Sequence, residues 1–453
     1  MKFSNLPLSK EMLHNLNEIG YKEMTPIQAE ALPHILDGKD VIAQAKTGSG
    51  KTAAFGIGLL TKLQVKKFRV QSLILCPTRE LADQVAKELR MLARATHNVK
   101  ILTLCGGAAF GPQLGSLSHG AHIIVGTPGR ILKHLKKETL SLEDLDMLVL
   151  DEADRMLDMG FSEEINEVLS FTKKRKQTLL FSATYTDEIM DISKNLQHEA
   201  VSVKTTSTEV ANNITERFYE VENHQKMDTI INILSNFKPE NVIIFTNTKI
   251  DAKELADNLQ KKKIDALAIH GDLEQYERND VLVQFANRSC PVLIATDVAA
   301  RGLDIKEMSM VINYDLPHGE ETYTHRIGRT GRAGQDGLAF TLFTEHEADK
   351  AYEYKNDTRL FESAGDLKTV NGFEMKPQYI TLVIEGGKKD KVRAGDLLGA
   401  LTGDAGLQGS SIGKIDIYER QSYVAIEAKL IDEAHKQLKN GKIKGKKFSV
   451  WVL

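Results

Sequence analysis

Cysteine is scarce. The 453 residues hold three, Cys76, Cys105 and Cys290, with no CxxC or Cys/His spacing among them. That excludes a disulfide framework or a zinc ribbon and leaves the expectation of buried thiols in a reducing compartment. Long apolar runs are also missing: none reaches 18 residues, and Met1-Lys2-Phe3-Ser4-Asn5-Leu6 lacks the sustained apolar stretch of a signal peptide. The expectation is a chain neither exported nor membrane-spanning, working in the cytoplasm. Charge of one sign is lacking as well, the formal net being -3. A polyanionic partner would therefore be met by a local basic surface. Length alone predicts two to four domains of about 100–200 residues.

What is present is alternation. Residues 1–40 read as short helices, with Leu13, Leu16 and Ile19 near helical spacing and Pro26 suited to open a second helix. From Val41, apolar strands at 41–43, 73–76, 101–104, 123–125, 147–150 and 179–181 alternate with helical segments such as Glu80 to Leu92. Such alternation predicts a doubly wound, mostly parallel sheet. After a polar stretch at 204–213, a second series follows, with strands at 242–245, 266–269, 292–295, 310–313 and 338–343. A third unit, from about residue 371, reads as strand, helix, strand, strand, helix, strand, the βαββαβ order of a ferredoxin-like unit. It carries 14 Lys and Arg against 10 Asp and Glu, net +4, whereas the first 370 residues carry 45 against 52, net -7. The basic charge is concentrated at the C-terminal end.

Chemistry gathers at strand tips, where open α/β sheets bind ligands. Ala45-Lys46-Thr47-Gly48-Ser49-Gly50-Lys51-Thr52 follows a strand and precedes a helix, the context a phosphate loop requires. Its glycines allow backbone N–H groups to face phosphate, Lys51 reaches the terminal phosphates, and Thr52 offers a hydroxyl to magnesium. About 100 residues on, a strand ends in Asp151-Glu152-Ala153-Asp154, which suits Asp151 to magnesium and Glu152 to a general base for the attacking water.

The ordered motifs resemble the DEAD-box ATP-dependent RNA helicases over nearly the first 345 residues. Phe3, Gly20-Tyr21 and Thr25-Pro26-Ile27-Gln28 look like the adenine-reading Q motif, with the Gln28 amide on the adenine edge and an aromatic, Phe3 or Tyr21, against its ring. Pro77-Thr78-Arg79-Glu80-Leu81-Ala82, Gly106-Gly107 and Thr127-Pro128-Gly129-Arg130 resemble RNA-contacting motifs; Ser182-Ala183-Thr184 resembles the motif linking hydrolysis to strand separation. Ile244-Phe245-Thr246-Asn247, the Ala295 to Asp304 segment and His325-Arg326-Ile327-Gly328-Arg329-Thr330-Gly331-Arg332 complete the set. The resemblance implies two tandem RecA-like lobes, 1–206 and 214–365, joined by a linker at 207–213. It also implies arginine fingers at Arg329 and Arg332, neighbours if the segment is helical, ribose binding by Asp304, and coupling through Asp154, Ser182, Thr184 and His325. RNA would lie against Arg79, Gly107, Thr127, Gly129, Arg130, Thr246, Thr296 and Asp297, its sugar-phosphate backbone gripped without sequence readout. ATP and Mg2+ are the implied cofactors, and a monomer is expected.

Residues 371–453 resemble the RNA-recognition-motif domain of one branch of that family, which implies a 23S ribosomal RNA target in pre-50S particles. The match departs at the bases: Leu382-Val383-Ile384-Glu385 has no central aromatic and Gln421-Ser422-Tyr423-Val424 keeps one, whereas such domains ordinarily stack bases on aromatics of the sheet face. Sheet-face stacking is therefore expected to be weak. Basic edges are the better candidates: Lys388, Lys389, Lys391 and Arg393, and Lys442, Lys444, Lys446 and Lys447.

Overall fold

Parallel strands buried on both faces dominate the computed structural model. It describes all residues except 46–47, 173–175, 205–213, 301–307, 332–335, 371 and 405, and the side chains of 321 and 404. Lys46, Thr47, Asp304, Arg332 and the expected linker thus lie outside the described residues. The first lobe holds Val41–Gln44 (β1), Ser72–Leu75 (β2), Ile101–Leu104 (β3), Ile123–Gly126 (β4), Met147–Asp151 (β5), Gln177–Ser182 (β6) and Val201–Lys204 (β7). They form one sheet in the order β3-β4-β2-β5-β6-β1-β7. Side chains along each strand alternate between two core clusters: Val41 and Ala43 join one, Ile42 the other. This is why the strands read as unbroken apolar runs.

The second lobe repeats the plan. Ile214–Glu220 (β8), Val242–Thr246 (β9), Ala266–Ile269 (β10), Val292–Thr296 (β11), Met310–Asn313 (β12), Gly337–Phe343 (β13) and Arg359–Ser363 (β14) lie in the order β10-β11-β9-β12-β13-β8-β14. Numbered from its own first strand, this order is identical to that of the first lobe. Three strands were not foreseen from the sequence. β7 and β14 are edge strands, and β7, β8 and β14 (VSVK, ITERFYE, RLFES) are only partly buried. A half-exposed strand carries polar residues, which hides it among loops; Lys204, expected to begin a polar connection, instead closes β7.

Tyr379–Ile384 (β15), Ile412–Ile417 (β16), Ser422–Glu427 (β17) and Val450–Val452 (β18) form an antiparallel sheet in the order β16-β17-β15-β18, as the βαββαβ reading requires. Leu382, Ile384, Val424 and Ile426 face this domain's own core. On the opposite face, Val383 and Tyr423 pack on Val283 of the second-lobe helix Gln275–Ala286. The Tyr423 hydroxyl donates to Asp280 at 3.0 Å, and Thr381 meets Ser289 at 2.7 Å and Asn287 at 3.3 Å. The sheet face that would stack bases is turned onto the second lobe. All three cysteines are free and buried.

Candidate nucleotide and RNA sites

Three neighbouring strands of the first lobe, β5, β6 and β1, deliver the acidic tip, Ser182-Ala183-Thr184 and the phosphate loop to one edge. Gly50 caps the helix Lys51–Lys62 with φ 91°, and a Cβ there would stand 2.5 Å from the Gln28 amide nitrogen, so glycine is needed for conformation and for room. Gln28 closes the helix Pro26–Leu36 by accepting from the Thr25 N–H at 3.0 Å and donates to the Gly50 carbonyl at 3.1 Å. One amide N–H and one oxygen lone pair remain for a ligand. Phe3 is folded into the core with the Tyr21 ring 6.3 Å away at 81°, and Tyr21 donates to Glu88 at 3.0 Å.

Among the described residues, the buried Lys51 ammonium, Asp151 Oδ1, Ser49 Oγ and Ser182 Oγ have no hydrogen-bond partner. Burial pushes the Asp151 carboxyl up to about 6, with Lys51 opposing and Glu152 adding to the shift. A buried cation and a buried carboxylate left unsatisfied are costly. A phosphate and a divalent cation would satisfy both, with Thr52 at the start of the same helix. The residues fit nucleotide and Mg2+.

Asp154 has a different task. One of its oxygens accepts from Ala183 N at 2.8 Å, Thr184 N at 3.0 Å and Thr184 Oγ1 at 3.3 Å. Ser182 and Ala183 reach back to the loop base, their carbonyls accepting from Ala45 N at 2.9 Å and Gln44 Nε2 at 3.1 Å. The acidic tip, the β6 tip and the phosphate-loop base are therefore one hydrogen-bonded unit. Glu152, at φ 54°, bonds Arg155 at 2.6 Å, and both are buried. Arg155 is not among the residues the motifs mark; its i,i+3 spacing from Glu152 is the signal the sequence offers for it.

The other half of the edge, β3-β4-β2, carries the segments expected at RNA. Gly107 and Gly129 are exposed. Thr127 Oγ1 lies 3.5 Å from Gly106 N, and Arg130 donates to Gln113 at 2.7 Å and to the Ala108 carbonyl at 2.9 Å, joining the two turns. Arg79 opens the helix Arg79–Leu92, half-buried beside Asp83 at 3.7 Å.

In the second lobe, β11-β9-β12 end at Thr296, Thr246 and Asn313. Arg326, 1% exposed, is the hub: it holds both Asp297 oxygens at 2.8 and 2.7 Å, Asn247 at 2.9 Å and the Asp315 carbonyl at 2.9 Å. Thr296 is half-buried beside it. Thr246 is wholly buried and donates to the Thr248 carbonyl at 3.1 Å. The RNA contact expected of it has no exposed side-chain atom to run through. The helix carrying His325 ends at Ile327, and Arg329 follows in a turn, 7% exposed. Gly328 ends the helix before Arg329, so the helical condition attached to the two arginines is not met at Arg329, and Arg332 lies outside the described residues. Arg326→Ala would strand the Asp297 carboxylate and is expected to destabilise the second lobe by about 3–5 kcal/mol in urea melts. Arg326→Lys should recover only part, since lysine lacks the fork.

Sequence comparison places these features in a family. The DEAD/DEAH box helicase model matches residues 25–192, the helicase conserved C-terminal domain model residues 225–334, and the DbpA RNA binding domain model residues 381–452. The ATP-dependent RNA helicase DbpA of Escherichia coli (strain K12) is 50% identical over 452 residues, 98% of each chain. The chain belongs to the DEAD-box ATP-dependent RNA helicases of the DbpA type. A further relative of the helicase, CshA of Bacillus cereus, is 45% identical over 370 residues, 82% of this chain and 70% of that one. Saccharomyces cerevisiae Dbp5 bound to RNA and ADP BeF3 matches with a TM-score of 0.72 at 30% identity, covering 81% of the helicase and 96% of Dbp5. The two seven-stranded lobes of the helicase are RecA-like.

The C-terminal domain of the helicase brings its two lysine stretches together. Lys444 Nζ donates to the Lys391 carbonyl at 3.1 Å, and Lys388, Lys389, Lys391, Arg393, Lys442, Lys444, Lys446 and Lys447 are all exposed. Backbone bonds from Lys388 and Lys389 to the Tyr418 and Glu419 carbonyls set the β16–β17 turn beside them. Tyr418, 46% exposed there, was missed from the sequence because it sits outside the strand positions where stacking is sought. No helix among the described residues is long and apolar enough to cross a membrane.

Proposed function

We propose that this helicase hydrolyses ATP with magnesium in response to RNA, opens short RNA duplexes, and is directed by residues 371–453 to 23S ribosomal RNA during large-subunit assembly. It acts as a cytoplasmic monomer of two lobes, 1–206 and 214–365, joined by a linker at 207–213. Gln28 reads adenine, with Phe3 and Tyr21 near its ring; residues 45–52 cradle the phosphates, Asp304 takes the ribose, and Thr52 with Asp151 holds the cation. Bound magnesium supplies charge neutralisation on the phosphates. Glu152 takes the proton of the attacking water, and Arg329 and Arg332 meet charge developing on the phosphoryl group. His325 and the Asp154–Ser182–Thr184 unit relay the nucleotide's state. RNA lies along Arg79, Gly107, Thr127, Gly129, Arg130, Thr296 and Asp297.

The observation carrying this reading is the unsatisfied Lys51 ammonium and Asp151 Oδ1 at the same sheet edge as the hydrogen-bonded Asp154 and Thr184. For the address, the occupied sheet face and the merged lysine patch support binding through the basic edge. Replacing Lys442, Lys444, Lys446 and Lys447 by alanine in the full chain tests it. Affinity for a 23S ribosomal RNA fragment should fall at least tenfold, and the slope of log affinity against log salt should shrink by about 0.7–0.9 per lost phosphate contact. Unchanged affinity and slope would remove the patch from the address.

A further inference from the structure

The helix Phe110–Leu117 buries none of its eight residues, yet it begins with a phenylalanine and exposes Leu114 to 42%. Phe110 is not idle. Its ring stacks on His134 at 4.2 Å and 14°. Arg130, Lys133 and Lys137 place their cationic groups 5.9, 5.6 and 5.3 Å from its centroid. Residues 130, 133, 134 and 137 share one helix face, so the ring caps a stripe of three cations and a histidine.

The floor of this feature is fixed and neutral. His134 is fully buried, 2.9 Å from Thr139 Oγ1 and 3.2 Å from Gln113. Burial, aided by Arg130 and Lys133, holds its pKa down at about 4. Arg130 braces the wall by bonding Gln113 and the Ala108 carbonyl. Lys136, by contrast, pairs with Glu167 at 2.7 Å and turns away from any such role. Among the described residues, no carboxylate lies within ion-pair distance of Lys133 or Lys137, and both are exposed. Cations crowded on one ring repel one another, and a polyanion carrying flat, apolar-faced groups relieves both the charge and the half-exposed ring.

We propose that Phe110 is a stacking platform for one nucleobase of single-stranded RNA, with Lys133 and Lys137 holding the phosphates on either side. The proposal rests on the helicase reading and extends it, because the strand is then gripped by a base as well as by its backbone. Stacking tolerates any base, since each has a π face. The platform adjoins Gly106-Gly107 and Thr127-Arg130, so a strand held there continues onto it.

Binding of a labelled single-stranded oligouridylate to the full chain, with a non-hydrolysable ATP analogue and across a salt series, tests this. Phe110→Leu keeps an apolar contact on His134 but loses the aromatic face; it is expected to weaken binding about 5- to 100-fold, and Phe110→Ala equally. Phe110→Trp should bind as the parent does. Neither Phe110→Leu nor Phe110→Ala should alter the salt slope, whereas Lys133→Ala with Lys137→Ala should reduce it by about 0.7 per lysine. A 2-aminopurine placed in the oligonucleotide should be quenched on the parent and not on Phe110→Leu, a readout that loss of packing alone would not move. Parental affinity and quenching in Phe110→Leu would overturn the proposal and leave Phe110 as packing for His134. A salt slope altered by the lysine changes with no Phe110 effect would also overturn it, leaving an electrostatic surface open to other polyanions. A parent chain that binds no RNA at all would instead sink the helicase reading beneath it.

Discussion

Glu152→Gln is expected to lower RNA-stimulated phosphate release by about 10²- to 10⁴-fold, the range of a lost general base. Geometry makes this substitution clean. The carboxylate is 4% exposed, its backbone sits at φ 54°, and Arg155 holds it at 2.6 Å. Glutamine has the same length and keeps an oxygen for Arg155, so the surroundings survive while basicity is lost. RNA should still bind in the presence of ATP, and duplex displacement should fail with hydrolysis. Unaffected biological function of the variant would point instead to an ATP-gated RNA clamp, which holds RNA with little unwinding. Turnover within a few-fold of the parent would remove Glu152 from the chemistry.

The segments of the candidate site were legible in the chain because each is contiguous. A phosphate loop, an acidic tip and a Ser-Ala-Thr tip each lie within eight residues, and each follows a strand that the apolar runs reveal. Their union was not legible: Asp154 reaches Thr184 across 30 positions and Gln28 reaches Gly50 across 22. Such bonds depend on strand order, and β5-β6-β1 adjacency is invisible in sequence. Arg326 shows a second limit. It was read only as part of a motif, since nothing in the sequence announces that an arginine will be 1% exposed with four polar partners.

The C-terminal domain illustrates a third. Its strands and helices were readable, and so was its lack of stacking aromatics. The reason lay elsewhere, in Asp280, Val283, Asn287 and Ser289 of the second lobe, which take up the open face through Tyr423, Val383 and Thr381. A face committed to a neighbour has no use for base-stacking residues. Polar edge strands were missed for a kindred reason: no residue of β14 is fully buried, and partial burial weakens the pattern that identifies a strand.

The proposed function stands or falls on one ATP being sensed by both lobes, with its phosphates beside Lys51 and its transferring group met by Arg329 and Arg332. Arg329 is 7% exposed in a turn after Ile327, set by its N–H on the Arg326 carbonyl at 3.3 Å. A positioned arginine accelerates phosphoryl transfer by about 10³- to 10⁵-fold. The decisive measurement is single-turnover phosphate release at saturating RNA for Arg329→Ala and Arg332→Ala, each in the full chain. The account predicts a fall of about 10³-fold or more for at least one of them, with ATP still bound. Parental release from both would mean that the first lobe hydrolyses ATP unaided, and the two-lobe account would be contradicted.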